Sequence, residues 1–345
     1  MAERDGADGY GWDDGNGNAS GYGGGYEPQG AGRFRPHRGA WRRGWILALL
    51  ALLLAAVLAF HRQIPDGFGN LGSLTETFLP WFGLGVPVLL VLGLVRRSAT
   101  ALVALIAPVV VWGMLFGDQV TSKARHTGYD FTVVQHNVNA NNPDPAGTAA
   151  ALEAADPDVI SMEELTARSL PSFESALRAR YPYHAVEGTV GLWSRYPLSG
   201  TRPVDIRIGW TRALRTVVHD PKGDVAVFVA HMPSVRLKFD GGFTANERDD
   251  SAAALGSAIS SDSDKRLVLL GDLNGTMNDR ALAPITSQLR SAQGAAGDGF
   301  GFSWPARFPM ARIDQIMSRG VSPVGAWTLP ATASDHLPIA AHFTL

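Results

Sequence analysis

A carboxylate and an amide follow a short apolar run in the segment Leu267-Val268-Leu269-Leu270-Gly271-Asp272-Leu273-Asn274. Four consecutive apolar residues without a helical period predict a buried strand, and Gly271 lets the chain turn at its end. Residues two apart in an extended chain point the same way, so Asp272 and Asn274 emerge side by side. The carboxylate can hold a cation or take a proton from water, and the amide can donate to a phosphate oxygen.

Polar side chains also occur at the ends of other predicted strands, or within one of them: Asn137, Glu164, His231, Asp314, Asp335 and His336. Singly, such residues are often turn residues, helix caps or core histidines. Asp314 lies between isoleucines in Arg312-Ile313-Asp314-Gln315-Ile316, and a buried aspartate needs a partner. Because α/β proteins place their chemistry at strand ends, the whole set predicts one site.

Short strands alternating with helices position these residues. Strands are predicted at residues 131–134, 159–162, 183–186, 191–194, 204–208, 214–219, 225–230, 266–272, 313–317 and 339–343, and helices at 146–155, 170–181 and 245–259. The alternation predicts a single α/β domain over residues 130–345, long enough for a large core. The chain has no cysteine, which excludes thiolate metal sites and cysteine nucleophiles.

The first third of the chain has a different character. Residues 1–43 are rich in Gly, Asp and Asn and predict a disordered tail. Residues 44–117 contain three apolar runs, near 44–60, 77–95 and 99–116, which predict three transmembrane helices followed by a linker at 118–129. A cleavable signal peptide is the alternative for the first run, and the long tail and two further runs disfavour it.

Basic residues predict the orientation of these spans. Five arginines in residues 33–43 directly precede the first run, and Arg96-Arg97 lies in a tight hairpin between the second and third, whereas the basic residues of the loop 61–76 are only His61 and Arg62. Positive charge accumulates on the cytoplasmic side of membranes. The tail is therefore predicted to be cytoplasmic and the domain 130–345 extracytoplasmic, in a multi-pass cell-membrane protein.

The domain resembles the endonuclease/exonuclease/phosphatase superfamily, which includes deoxyribonucleases, abasic-site endonucleases, sphingomyelinases and inositol-phosphate phosphatases. Seven motifs occur in the family's order: Gln135-His136-Asn137-Val138, Pro157-Asp158-Val159-Ile160-Ser161-Met162-Glu163-Glu164, Trp193-Ser194-Arg195-Tyr196-Pro197-Leu198, Ala230-His231-Met232-Pro233-Ser234, Gly271-Asp272-Leu273-Asn274, Arg312-Ile313-Asp314 and Ser334-Asp335-His336-Leu337-Pro338-Ile339. The resemblance implies a four-layer sandwich of two packed β-sheets with outer helices, and a metal-dependent phosphoester hydrolase.

The resemblance also implies residue roles. Glu164 would be the main metal ligand, with Asn137 and Asp335 near the ion, and these oxygen donors suit Mg²⁺ or Mn²⁺. The other residues would be catalytic. Asp272 would position or deprotonate the attacking water, and Asn274 would hold the phosphate. His336, oriented by Asp314, would contact the phosphoryl oxygens, and His231 would protonate the leaving group. Family members usually carry Gln-Glu where this chain has Glu163-Glu164, and no carboxylate is evident that would orient His231.

The predicted partners are the membrane and a phosphorylated substrate. From residue 130 the chain has 19 Lys and Arg against 23 Asp and Glu, a balance of −4 that disfavours nucleic acid. The layout resembles actinomycete membrane proteins associated with resistance to teicoplanin-type glycopeptides, which suggests a cell-envelope substrate such as a polyprenyl phosphate or pyrophosphate. The insert 235–243 is either a solvated loop or a lid touching lipid. The alternatives are a surface nuclease or phosphodiesterase and a non-catalytic binding module.

Overall fold

The structure, a computed structural model, describes residues 44–67, 69–235, 237–238 and 242–345. The predicted tail 1–43, with the five arginines of residues 33–43, lies outside the described residues, as do residues 236 and 239–241 of the insert 235–243. The described residues belong to one compact unit, Gly39–Leu345, in which an apolar helical region precedes and contacts a β-sandwich.

The helical region contains five α-helices and two 3₁₀ turns: α1 (Trp45–Ala59), α2 (Leu71–Thr77), α3 (Gly85–Val95), α4 (Ala99–Ala104) and α5 (Ile106–Val120), with turns at His61–Gln63 and Leu79–Leu84. Helices α4 and α5 together form an apolar stretch, Ala99–Val120, of sufficient length to cross a bilayer. A second stretch of that kind exists among the described residues only if Leu71–Thr77 and Leu79–Val95, which meet at 72°, are counted as one. Helix α1 has 15 residues and is shorter.

The bend between these two segments has a local cause. Pro80 has no N–H and cannot continue an α-helix, so the chain changes to the turn Leu79–Leu84. The carbonyl oxygens at the break find other donors: Trp112 Nε1 donates to Pro80 O at 2.9 Å, and Thr276 Oγ1 donates to Glu76 O at 3.3 Å. The prediction that residues 61–76 form a loop is wrong in part, because most of helix α2 lies within this segment.

Two six-stranded mixed sheets form the sandwich. The first has the order β13-β14-β1-β2-β4-β3 and the second β11-β12-β10-β7-β6-β5. The strands are β1 (Phe131–Asn137), β2 (Val159–Glu163), β3 (Tyr183–Glu187), β4 (Val190–Ser194), β5 (Leu198–Pro203), β6 (Ala213–Asp220), β7 (Gly223–His231), β8 (Leu237–Lys238), β9 (Gly242–Phe243), β10 (Leu267–Asp272), β11 (Arg290–Ser291), β12 (Asp314–Arg319), β13 (Ser322–Thr328) and β14 (Ile339–Thr344). Strands β8 and β9 pair separately, within the insert.

Helices cover both outer faces of the sandwich. They are α6 (Pro145–Glu153) and α7 (Leu170–Leu177) on the first sheet, α8 (Asn246–Ser260) and α9 (Ala283–Thr286) on the second, and the short α10 (Ala292–Ala296). The alternation along β10 shows how the layers form. Val268 and Leu270 enter the core between the sheets, whereas Leu267 and Leu269 face the core beneath α8. The predicted packing of two sheets with outer helices is confirmed.

One strand prediction is wrong, and strands β5 and β13 were not predicted. No strand forms over residues 204–208; the edge strand β5 precedes it, at Leu198–Pro203. Val204 and Ile206 are buried beneath the second sheet; the backbone N–H of Val204 still donates to the oxygen of Ala213 in β6 at 2.9 Å, but the chain then leaves the sheet. Strand β13 was not predicted, because Pro323 and Gly325 interrupt its apolar pattern at a bulge.

Candidate active site

The ends of four strands bring the predicted polar residues to one edge of the sandwich. Strands β1 and β2 run parallel, with Asn137 opposite Glu163. In the second sheet, β7 and β10 also run parallel, and Asp272 lies opposite both His231 and Asp314. Gly271 permits this close alignment, since a Cβ there would lie 1.9 Å from the carbonyl oxygen of Ala230.

Asn137 connects the two sheets at this edge. Its Nδ2 donates to Glu164 Oε1 and to Asp272 Oδ2, both at 3.1 Å. Glu164 follows the end of β2 with a φ of 60°, which turns it out of the strand and toward the cavity. Its other oxygen accepts from the backbone N–H of Ala140 at 2.8 Å. Two carboxylates from different sheets therefore converge on one side-chain amide.

His231 faces both of these carboxylates. Its Nε2 lies 3.6 Å from Asp272 Oδ2 and 3.8 Å from Glu164 Oε1, and neither ring nitrogen has a hydrogen-bond partner among the described residues. Burial, together with the positive charges of Arg212 and His336, holds the pKa of His231 well below its usual value. The ring is neutral at neutral pH, so in this state it can offer or accept a hydrogen bond but does not carry a surplus proton.

Asp314 and His336 form a buried ion pair. His336 Nδ1 lies 2.9 Å from Asp314 Oδ2, and Asp314 also accepts from Ser303 Oγ at 2.6 Å and from Gln135 Nε2 at 3.0 Å. Burial lowers the pKa of His336, but the Asp314 carboxylate outweighs it and raises that pKa to about 10. The same pair lowers the pKa of Asp314 despite burial. The predicted orienting contact of Asp314 on His336 is present, and His336 presents a positive charge.

Asp272 lies between the two histidines. Its Oδ2 is 3.9 Å from His336 Nε2, and its Oδ1 accepts from the backbone N–H of Asn274 at 2.9 Å. Burial and the negative charge of Asp314 raise the pKa of Asp272 to about 7. A carboxyl group that titrates near neutral pH is suited to take a proton from water.

Glu163, the departure from the usual Gln-Glu pair, does not point toward the cavity. It is fully buried, and its Oε2 accepts from Gln135 Nε2 at 2.8 Å. Burial and the neighbouring Asp314 raise the pKa of Glu163 well above its usual value. Both effects favour the protonated side chain, which carries no charge, as a glutamine at this position would carry none.

The remaining two predicted residues lie at the rim of the site. Asn274 is half-buried, and its Nδ2 donates to the backbone oxygen of Met232 at 3.0 Å. Asp335 is exposed, and its Oδ1 accepts from Asn139 Nδ2 at 2.8 Å. Asn139, two residues after Asn137, thus joins the end of β1 to the loop that carries Asp335. The structure brings all eight predicted residues to this edge of the sandwich.

The donor set fits a hard divalent cation. Ligand atoms of Asp272, Asp314 and His336 lie within 4.8 Å of one another, and this group could hold a metal ion. His336 is engaged by Asp314 as an imidazolium, which disfavours it as a ligand. Carboxylate and amide oxygens are instead available at Glu164, Asn137 and Asp335, and such oxygens are what Mg²⁺ and Mn²⁺ prefer.

Sequence reasoning missed one positively charged side chain at the site, that of Arg212. Arg212 precedes β6 and lies over the ring of Trp210, with its guanidinium carbon 5.1 Å from the ring centre. Its Nε is buried without a partner among the described residues. Burial lowers the pKa of Arg212, and the charges of Asp272 and Glu164 oppose that effect. An isolated arginine before an apolar strand carries no motif, so only the fold could reveal it.

The edge opens into a cavity of about 470 Å³. Its lining combines the polar residues Glu164, Asp272, Asn274, Asp335 and His336 with side chains from elsewhere in the chain, including Leu74, Thr77 and Phe78 of the helical region. A cavity of this size suits a small phosphorylated group with part of its attached moiety. The arrangement provides acidic oxygens for a cation, a cationic histidine for phosphoryl oxygens, and a carboxyl group beside them for water.

The chain belongs to the endonuclease/exonuclease/phosphatase family, which matches residues 134–336. Members of this family hydrolyse phosphoesters, and this chain is an enzyme of that type. The matched segment covers more than half of the chain and includes every residue of the predicted site.

Solved structures show the same fold. An endonuclease/exonuclease/phosphatase from Bacteroides vulgatus aligns with 17% identity and a TM-score of 0.53, over 63% of this chain and 100% of its own. The mannosyl-6-phosphatase Bt3783 of Bacteroides thetaiotaomicron aligns with 16% identity and a TM-score of 0.52, over 62% and 100%. D. rerio TDP2, complexed with single strand DNA product, aligns with 17% identity and a TM-score of 0.54, over 62% and 99%. No curated protein sequence matches the chain.

Proposed function

We propose that this chain is a membrane-anchored, cation-dependent phosphohydrolase that acts on a phosphate or pyrophosphate ester of the cell envelope. The observation that carries the proposal is the cavity, where the strand-end cluster and the apolar helical region share one lining. Apolar helices beside the catalytic edge would let a lipid-linked substrate reach the site from the membrane. A substrate embedded in or near a membrane would meet the site at high effective concentration.

In this proposal the cation is held by Glu164, with Asn137 and Asp335 beside it. When bound, the cation neutralises the charge on the phosphate oxygens, which is the main requirement of phosphoryl transfer. Asp272 orients the attacking water and accepts its proton, and His336 donates to the phosphoryl oxygens from a ring held by Asp314.

Two further residues contact the substrate in this proposal: His231 acts on the leaving group, and Asn274 binds the phosphate. The pKa of His231 lies well below its usual value, so its proposed contribution begins as N–H donation from the neutral ring to the leaving oxygen. A dianionic substrate would favour the protonated ring once bound, because an opposite charge raises a histidine pKa. Asn274, which lies beside Asp272, would hold a phosphate oxygen.

The proposed arrangement in the membrane is three spans with the catalytic domain outside the cytoplasm. The basic clusters before residue 44 and at Arg96-Arg97 support this orientation. Helix α3 ends at Val95 and α4 begins at Ala99, in keeping with a short turn between two spans. Protease added to intact protoplasts should digest the catalytic domain; a protected domain and a digested tail would reverse the orientation.

The proposed substrate is lipid-linked, such as a polyprenyl phosphate or pyrophosphate. Processing such a carrier outside the membrane would also account for a role in glycopeptide resistance, since it alters the supply of wall precursors. A surface nuclease is the second candidate, because the fold is shared with TDP2 as well as with a mannosyl-6-phosphatase. The balance of −4 in residues 130–345 favours the lipid-linked substrate.

The test compares these substrate classes on the full chain in detergent. Phosphate release from a purified polyprenyl pyrophosphate is measured beside cleavage of single-stranded DNA, duplex DNA and RNA, with Mg²⁺, Mn²⁺ and Ca²⁺ in turn. We expect turnover of the pyrophosphate and little cleavage of nucleic acid. Rapid cation-dependent cleavage of nucleic acid, with no turnover of the lipid, would favour the nuclease.

A further inference from the structure

The apolar part of the cavity lining comes from three separate segments. Leu74 and Phe78 belong to α2 and the residue after it, Val235 follows β7, and Trp304, Ala311 and Ile313 belong to the loop before β12. Leu74, Thr77 and Phe78 are spaced three and four residues apart, so they lie on one face of the helix. Both Leu74 and Phe78 are only partly buried, because this face borders the open cavity.

The adjacent face of α2 is fixed to the catalytic domain through Ser73. Ser73 Oγ donates to Asp279 Oδ2 at 2.9 Å and accepts from Arg248 Nη2 at 3.0 Å. Arg248 is fully buried, pairs with Asp279 at 2.7 Å, and also donates to the backbone oxygen of Asn274 at 2.9 Å. One buried arginine thus connects the helix to the loop that carries a residue of the active site.

A second contact fixes the other end of the helix. Glu76 is fully buried, and its Oε1 lies 3.1 Å from Arg280 Nε, while its Oε2 accepts from the backbone N–H of Arg280 at 3.0 Å. The Arg280 guanidinium passes over Gly72, where a Cβ would lie 2.0 Å from Nη2. Trp81 Nε1 donates to the backbone oxygen of Met310 at 2.7 Å and continues the contact beyond the helix.

We infer that α2 is a specificity-determining wall of the active site, and that Leu74 and Phe78 contact an alkyl chain attached to the substrate phosphate. The inference rests on the proposed function, because it takes the phosphate to lie at the strand-end cluster. Two polar clusters hold the helix rigidly, yet its exposed face toward the cavity is apolar. Charged pairs fix one face of the helix to the catalytic domain, and two apolar side chains on the adjacent face line the cavity. This arrangement indicates a binding surface for a ligand with a polar phosphate and an apolar chain.

The test measures binding separately from turnover. Non-hydrolysable methylenebisphosphonates with n-butyl and n-octyl chains are titrated against the full chain with Mg²⁺, at concentrations at which both ligands are monomeric. Burial of the four additional CH₂ groups should tighten binding about tenfold or more. Leu74→Ala and Phe78→Ala should each reduce this gain at least about threefold, with little change in binding of the butyl compound. Leu71→Ala is the matched control, since Leu71 lies on the same helix, exposed and away from the cavity.

Each outcome separates the two proposals. Equal affinity of the wild type for both chain lengths would overturn the inference, as would equal effects of Leu71→Ala and Leu74→Ala. Hydrolysis of the corresponding n-alkyl pyrophosphates is measured in parallel and tests the proposed function. If the n-alkyl pyrophosphates are hydrolysed but affinity does not increase with chain length, the role of α2 is contradicted and the proposed phosphohydrolase is supported. If affinity increases with chain length but no hydrolysis occurs, the role of α2 is supported and the proposed phosphohydrolase is contradicted.

Discussion

Substitution of Arg280 by methionine tests how firmly α2 is fixed to the catalytic domain. The change removes the side-chain partner of Glu76 and the hydrogen bonds from Nη1 to Arg62 O at 2.6 Å and from Nη2 to Ile64 O at 2.7 Å. Glu76 has no exposed surface and keeps only the backbone N–H of residue 280 as a donor. The Arg280 side chain is only partly buried, and burial raises the pKa of Glu76, so we expect the loss of this charged hydrogen-bond partner to cost about 1.5–3 kcal/mol.

This cost is large enough to measure as a change in thermal unfolding. For a domain of this size, 1 kcal/mol corresponds to about 2–4 °C, so Arg280→Met should lower the unfolding temperature by about 3–12 °C. Combining it with Glu76→Gln removes the stranded charge and should recover part of the loss. Arg290→Met serves as control, because Arg290 is an exposed arginine of the same domain.

The assay is circular dichroism of the full chain in one detergent, for the four variants and the wild type. A double variant as unstable as the sum of the two single variants would show that Glu76 and Arg280 do not interact. An unchanged unfolding temperature for Arg280→Met would refute the claim that this pair fixes α2.

Two further predictions concern the catalytic cluster. Asp272→Asn should lower turnover by about 10²–10⁴ on every substrate, as expected for loss of a positioned base, whereas His231→Ala should lose less on nitrophenyl esters than on alkyl esters; equal losses of the His231 variant on both would remove it from the leaving-group side. Glu163→Gln should keep turnover within about threefold of the wild type, because burial and the nearby Asp314 already favour the uncharged form of Glu163; a collapse of activity, measured under the same conditions, would show that Glu163 acts as a carboxylate.

The strand ends of the site were predictable because the signal is local. An apolar run followed by a polar residue identifies β10 with Asp272 and β7 with His231, and their neighbours in sequence determine both features. The resemblance to the family added the expectation that these separate strand ends form one site. The predicted strand 204–208 failed because burial and sheet pairing leave the same apolar pattern in a sequence.

The charge states of the site were not predictable from the sequence. The uncharged form of Glu163 is favoured because the side chain is buried and Asp314, from a distant segment, repels a second negative charge, although the hydrogen bond from Gln135 opposes this effect. His336 carries a charge for the opposite reason, since the same Asp314 contacts it directly. Such differences depend on distances of a few ångströms between strands that are far apart in the chain.

The docking of α2 was the largest feature that sequence reasoning missed. Residues 61–76 carry few charges and lie between two apolar runs, which predicts a connecting loop. Their polar members Ser73 and Glu76 have partners at residues 248, 279 and 280, and no local pattern links positions so far apart. The helical region is consequently part of the active-site lining as well as the predicted anchor.

Cation-dependent phosphate release by the full chain, compared between wild type and Glu164→Gln, tests the central claim most directly. The substitution keeps the size of the side chain but removes the charge that Asn137 and the N–H of Ala140 contact. The wild type should release phosphate with Mg²⁺ or Mn²⁺ and lose that activity in excess chelator, and the variant should be inactive at limiting cation while unfolding at the wild-type temperature. Full activity in chelator, or a variant as active as the wild type at limiting cation, would contradict a phosphohydrolase that uses Glu164 to hold its cation.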